Sequence, residues 1–258
     1  MDRLQIALER ARVERDTVPP PRATMLAAAA PEDTMAGIRT VAVNPSSMLG
    51  TADASASYKM LRTRVLQKMK EHGWNTLAVV SPAANDGKTF TAINLAIAIA
   101  GDTQHSTLLV DLDLRRPSIH RRFGFEPEYG VDDCLQGKIS LAAAMVAPAG
   151  FNKLVLLPAR EPQRNSSELL TSEHAVSMVK EIKERYSHRI AIFDLPPVLG
   201  ADDALAFAPL VDCALVVVGA SHTRRDELAR CLEVLHNIPI IGTVLNGSRT
   251  EHSSGYVY

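Results

Sequence analysis

The chain has 258 residues, is 46% apolar and carries a formal net charge of −1. That length suits one large domain with appendages, and near-neutral charge leaves no electrostatic footprint for nucleic acid. No apolar run approaches the length of a bilayer span, the charged N-terminus lacks a signal-peptide core, and three scattered cysteines suit a reducing compartment. A cytoplasmic protein with no direct membrane span is expected.

In chain order, residues 1–16 read as a short amphipathic helix with Leu4, Leu8 and Ala11 on one side. A single such helix is a docking element for a partner or a frayed end. Residues 17–50 turn to Pro and Ala (Pro19-Pro20-Pro21, Ala27 to Ala30, Pro31) and read as a linker. Helical spacing of Tyr58, Leu61, Val65, Leu66 and Met69 predicts a helix over Ala54–His72, ended by Gly73.

The run Val79-Val80-Ser81-Pro82-Ala83-Ala84-Asn85-Asp86-Gly87-Lys88-Thr89 reads as a buried strand, a tight turn and a helix start. Backbone N–H groups in such a turn wrap a phosphate, the helix N-terminus adds positive potential, and Lys88 reaches the terminal phosphates. Thr89 would offer its hydroxyl to Mg²⁺. Pro82 stands where the usual loop has its first glycine. The apolar helix Thr89–Ala100 after an apolar strand is the context this loop requires. Its nucleotide-contacting candidates are Asn85, Asp86, Gly87, Lys88, Thr89 and Phe90.

Further apolar strands are predicted at Thr107–Val110, Leu154–Leu157, Arg189–Phe193, Ala214–Val218 and Pro239–Leu245, with helices over Ser167–Tyr186, Asp202–Ala208 and Thr223–Leu235. Apolar strands alternating with helices imply an α/β fold, a doubly wound, mainly parallel sheet covered on both faces, with ligands at the carboxyl ends of the strands. The chemistry falls at those ends. Asp111 and Asp113 follow one strand and lie on one side of the extended backbone, as a metal-and-base pair or as a turn acid and helix cap. Asp194 ends another strand, where nucleotide folds hold the metal's water shell. Asn246 ends the last, as an adenine reader or as the turn former of Asn246-Gly247. Arg115, Arg116, Arg121 and Arg122 cluster about His120, as an anion site or a solvated helix face.

These segments resemble the cytoplasmic tyrosine kinases of bacterial capsule and exopolysaccharide export, the BY-kinases. The resemblance runs from about Ala54 to the C-terminus and rests on Ser81 to Thr89, on Val110-Asp111-Leu112-Asp113-Leu114-Arg115-Arg116-Pro117-Ser118-Ile119-His120, on Leu157-Pro158-Ala159, on Asn165 to Leu170, on Phe193-Asp194-Leu195-Pro196-Pro197 and on Val244-Leu245-Asn246. It implies a P-loop fold of the deviant Walker type and ATP·Mg²⁺ held by Lys88, Thr89, Asp111, Asp113 and Asp194. One of the Asp111/Asp113 pair would assist deprotonation of a tyrosine hydroxyl. It also implies a homo-oligomer whose subunits phosphorylate one another's C-terminal tyrosines, and activation by a membrane protein of the export system that recruits the kinase to the inner face of the membrane.

The acceptors would be Tyr256 and Tyr258, on a flexible tail over 248–258 that follows the kinase domain at 51–247. Extended from Asn246, that tail spans roughly 40 Å. The chain departs from the family pattern in this short tyrosine cluster. It departs again at the family's Glu-x-x-Arg-x-x-Arg helix motif, where Ala56, Lys59 and Arg62 stand and an intersubunit carboxylate is lost. Asn85 replaces a usual loop glycine, which a left-handed backbone tolerates. Two alternatives stand beside the kinase: a P-loop ATPase switch of the septum- or plasmid-positioning type, and a nucleotide-binding regulatory partner of the export machinery.

Overall fold

In a computed structural model, residues 38–43, 52–102, 104–186 and 188–248 are described. The N-terminal amphipathic segment, most of the linker, Tyr256 and Tyr258 lie outside the described residues. The elements are β1 (Arg39–Val41), α1 (Ala52–His72), β2 (Thr76–Val80), α2 (Lys88–Ala100), β3 (Ser106–Asp111), α3 (Ile119–Phe123), α4 (Val131–Leu135), α5 (Leu141–Ala144) and β4 (Val146–Pro148). They continue with β5 (Leu154–Leu157), α6 (Ser166–Leu170), α7 (Glu173–Arg185), β6 (Arg189–Asp194), α8 (Asp203–Phe207), β7 (Cys213–Gly219), α9 (Arg225–Val234) and β8 (Ile240–Asn246).

Eight strands form one sheet in the order β1-β4-β5-β3-β6-β2-β7-β8. Every neighbouring pair is parallel except β4 with β5. The central strands β2, β3, β5 and β6 are buried at every position, as strands covered on both faces must be. Alternation divides their side chains. Leu77, Val79, Leu109, Leu154, Leu156, Ile192 and Leu215 join one core with Ile93, Leu95, Ala96 and Ile99 of α2 and Val65 and Met69 of α1. On the opposite face Phe193 meets Phe207 of α8, ring centroids 5.2 Å apart.

Two expectations are corrected. Part of the 17–50 linker is a strand: β1 pairs in parallel with β4, Arg39 opposite Val146. Both are three residues long, too short for periodicity to register, and the same holds for the short helices α3 to α5. The helix expected over Ser167–Tyr186 is two helices. Ser172 adopts extended backbone (φ −67°, ψ 158°) and its hydroxyl accepts from Ala175 N; a side chain that serves as N-cap starts a new helix and interrupts the old one. In the altered motif, Arg62 donates to the Ala98 carbonyl of α2 at 3.1 Å and is tied to its own domain.

Candidate active site

The turn between β2 and α2 has two residues in left-handed backbone, Asn85 (φ 68°) and Gly87 (φ 93°). Asparagine tolerates that region and glycine enters it freely. At Gly87 the requirement is also steric, because a Cβ there would lie 1.9 Å from Asn246 Nδ2. The first backbone bond of α2 runs from Thr91 N to Gly87 O at 2.9 Å, and no side chain caps the helix start. Its leading N–H groups open toward a cleft of about 570 Å³ whose lining includes Asn85, Gly87, Lys88, Thr89, Phe90 and Asp113, together with Arg115, Arg116, Arg122, Pro196 and Pro197. A helix N-terminus with unsatisfied donors is an anion site.

Lys88 is the charge at its centre. It is buried, with Nζ 2.8 Å from Asp113 Oδ2, 3.4 Å from Thr89 Oγ1 and 3.9 Å from Asp194 Oδ1. Burial works against its charge, but Asp194 and Asp113 outweigh that and hold its pKa above the ordinary lysine value. Asp111 and Asp194 end neighbouring strands in register and are wholly buried beneath the cleft. Asp111 Oδ2 accepts from Ser118 N and Ile119 N, both at 2.9 Å, so this acid does cap α3, while its Oδ1 has no hydrogen-bond partner. Neither oxygen of Asp194 has one. Burial, reinforced by Asp194, pushes the Asp111 carboxyl up to about 7. Burial also raises Asp194, opposed by Lys88.

Three buried carboxylate oxygens without a hydrogen bond, beside a threonine hydroxyl and an anion cradle, fit Mg²⁺, an oxygen-seeking ion that keeps several waters and takes the rest of its shell from phosphate. Among the described residues no three acidic, His or Cys side chains could hold a metal by themselves.

The structure thus gathers Asn85, Gly87, Lys88, Thr89, Phe90 and Asp113 on the cleft wall, with Asp111 and Asp194 beneath. Asp86 departs from the expectation. Its side chain is buried away from the cleft, where it accepts from Ala83 N (2.8 Å) and Thr223 Oγ1 (2.5 Å). Asn246 Nδ2 donates to the Asp86 carbonyl at 3.0 Å. The arginine cluster separates by role. Arg115, Arg116 and Arg122 all line the cleft, and Arg115 is in addition tied to the fold: it bonds Asp203 through Nε and Nη2 (3.1 and 2.9 Å) and Ser166 Oγ at 3.0 Å. Sequence reasoning did not find Asp203, Thr223 or His222. The position of Thr223 just beyond a strand's carboxyl end was the available signal.

No family model matches the chain. The tyrosine-protein kinase YwqD of Bacillus subtilis (strain 168) is 29% identical over 206 residues, 79% of this chain and 85% of that protein. The tyrosine-protein kinase etk of Escherichia coli (strain K12) is 30% identical over 209 residues, 80% of this chain and 28% of that protein. The solved kinase domain of the Escherichia coli tyrosine kinase ETK superposes with a TM-score of 0.71 at 27% identity, covering 80% of each chain. The chain matches the kinase domain of the bacterial tyrosine kinases. It spans most of YwqD and about a quarter of etk, so it corresponds to the kinase part of the longer proteins. The same fold reaches beyond tyrosine kinases: cobyrinic acid a,c-diamide synthase from Mycobacterium smegmatis, solved with an ATP analog and magnesium, shares it at a TM-score of 0.53 and 20% identity over 67% of this chain and 74% of that one.

Proposed function

We propose that this chain is an ATP-dependent, autophosphorylating protein-tyrosine kinase that moves the γ-phosphate of ATP to Tyr256 and Tyr258 of a neighbouring subunit and so regulates capsule or exopolysaccharide synthesis and export. The observation that carries this reading is the convergence, at the open N-terminus of α2, of Lys88, Asp113 and the oxygens of Asp111 and Asp194 that have no hydrogen bond. The likeness to named tyrosine kinases supports the acceptor, and the ATP analog and magnesium of the M. smegmatis synthase support the cofactors.

Phosphoryl transfer asks for positioning and charge neutralisation more than for covalent work. The N–H groups that open α2 and the Lys88 ammonium bind and orient the phosphates. Mg²⁺, held through Thr89, Asp111, Asp113 and Asp194, would neutralise phosphate charge. Asp113 lines the cleft and the buried Asp111 does not, which supports Asp113 as the acceptor of the tyrosine proton and Asp111 as a holder of the metal's waters. Without nucleotide, Lys88 occupies Asp113 Oδ2; a bound phosphate competes for Lys88 and frees that oxygen to accept the proton. Arg116 and Arg122 place positive charge on the cleft wall.

No described helix is long and apolar enough to cross a membrane. A cytoplasmic homo-oligomer, recruited to the inner membrane face by a membrane activator of the export system through residues 1–16, completes the reading. Intact-mass and C-terminal peptide analysis after incubation with ATP and Mg²⁺ tests it, with and without the cytoplasmic tail of a candidate activator. Phosphate on Tyr256 or Tyr258 that is lost in Lys88→Met is expected. ATP hydrolysis with no tyrosine phosphate in either condition would replace the kinase with the switch ATPase.

A further inference from the structure

Asp86 stands inside the phosphate loop, yet its carboxylate faces the turn that follows β7. It is wholly buried. Oδ2 accepts from Ala83 N at 2.8 Å and closes the loop over residues 83–86. Oδ1 accepts from Thr223 Oγ1 at 2.5 Å and lies 3.1 Å from His222 Nε2. Thr223 and His222 are separated from their loop partners by 137 positions in sequence.

We infer that Thr223, assisted by His222, is a positioning residue for the nucleotide: by holding Asp86 it sets the shape of the phosphate loop and the aim of its N–H groups. The inference rests on the reading that this loop binds ATP.

The hydrogen bonds have a definite direction. Gly219 N donates to Thr223 Oγ1 at 2.8 Å, which leaves the single hydroxyl proton for Asp86. His222 Nε2 lies between two acceptors, Asp86 Oδ1 and the Asn85 carbonyl at 3.2 Å, so it is the nitrogen that carries the proton. The fit leaves little room: a Cβ on Gly219 would come within 2.8 Å of Asp86 Oδ1 and 2.7 Å of His222. A second brace meets the same residue from β8. Asn246 Nδ2 donates to the Asp86 carbonyl at 3.0 Å, and Ala220 N donates to the Asn246 carbonyl at 2.8 Å. Asp86 is therefore clamped by side chain and by backbone from the ends of two strands. A buried carboxylate that loses a donor must find another, and the flexible partner within reach is the loop itself.

Thr223→Val removes the hydroxyl and keeps the shape; Thr223→Ser restores it. Titration calorimetry with Mg²⁺·ATP and the melting temperature without nucleotide are both read. Thr223→Val is expected to weaken ATP binding about tenfold, with Thr223→Ser close to wild type and His222→Ala, whose side chain is half exposed, losing less. The double variant Asp86→Ala/Thr223→Val should bind no more weakly than Asp86→Ala alone. A Thr223→Val protein that melts lower but binds ATP like wild type, or losses that add in the double variant, would overturn the inference and leave the nucleotide site standing. A wild-type protein that binds no ATP would overturn both.

Discussion

Asp111 and Asp194 are register partners at the ends of parallel β3 and β6, and both carboxylates are wholly buried. Burial raises both pKa values; the neighbouring Asp194 adds to it at Asp111, which moves to about 7 from an ordinary 3.8, while Lys88 opposes it at Asp194. Lys88 is the nearest countercharge, 3.9 Å from Asp194. A fold holds such a pair at a cost in stability, and a cation is the partner that would relieve it.

A pH dependence follows with a definite sign. Between the ordinary value of 3.8 and about 7, native Asp111 keeps a proton that the unfolded chain has released. The native state binds more protons there, so stability without nucleotide falls as pH rises through that window. Asp111→Asn retains an acceptor for Ser118 N and Ile119 N and carries no charge. Its melting temperature is expected to exceed that of wild type by a few degrees above about pH 7 and to converge with it near pH 4. Parallel melting curves for the two proteins across that range would refute the buried-charge account.

Gly87 is the position where the loop tolerates no side chain. Its φ of 93° disfavours any L-residue, and a Cβ would overlap the Asn246 amide at 1.9 Å. Gly87→Ala must shift either the loop or Asn246, at about 1–3 kcal/mol of backbone strain with lost hydrogen bonding added. ATP binding by Gly87→Ala is expected to fall below detection by calorimetry, while circular dichroism shows the sheet retained. Wild-type affinity in this variant would mean that the loop is not where phosphate sits.

The central strands, the glycine-lysine-threonine turn and the strand-end acids were legible because each carries a local signal. An apolar run such as Leu108-Leu109-Val110 is a strand buried on both faces, and an acid just after it stands at the ligand edge. Asp203, Thr223 and His222 carry no such signal. Each matters through a partner distant in sequence, Arg115 or Asp86, and their bonds exist only once β6 and β7 lie beside β3 and β2. The break between α6 and α7 was missed for a related reason: polar Thr171 and Ser172 fit an amphipathic pattern, and only the hydroxyl of Ser172 turning onto Ala175 N shows it to be a cap.

Arg115 lies in the motif most diagnostic of the resemblance, yet it braces the fold. Its guanidinium ties the segment after β3 to Ser166 of α6 and Asp203 of α8, and Ser167 bonds the same carboxylate at 2.9 Å. Burial would raise Asp203, but Arg115, Ser166 and Ser167 outweigh it and hold its pKa below the ordinary value. Lysine keeps the charge and loses the two-pronged geometry. Because Arg115 is half exposed, Arg115→Lys is expected to cost only about 1 kcal/mol in urea denaturation. Affinity for ATP should change less than threefold. A large loss of ATP affinity at unchanged stability would move Arg115 from the frame to the phosphate site.

Asn246 is asked to do two things, and its amide has the groups for both. One N–H goes to the Asp86 carbonyl; the second N–H and the carbonyl oxygen have no hydrogen bond within the described residues, and that donor–acceptor pair complements adenine. A guanine offers the wrong pattern at the same edge. If Asn246 also reads the base, Asn246→Ala loses about tenfold more affinity for ATP than for GTP, so discrimination between them narrows. If it serves only as a brace for the loop, both nucleotides weaken together and their ratio stays as in wild type. The ratio of ATP to GTP dissociation constants, measured by competition against one fluorescent nucleotide, separates the two outcomes without reference to catalysis.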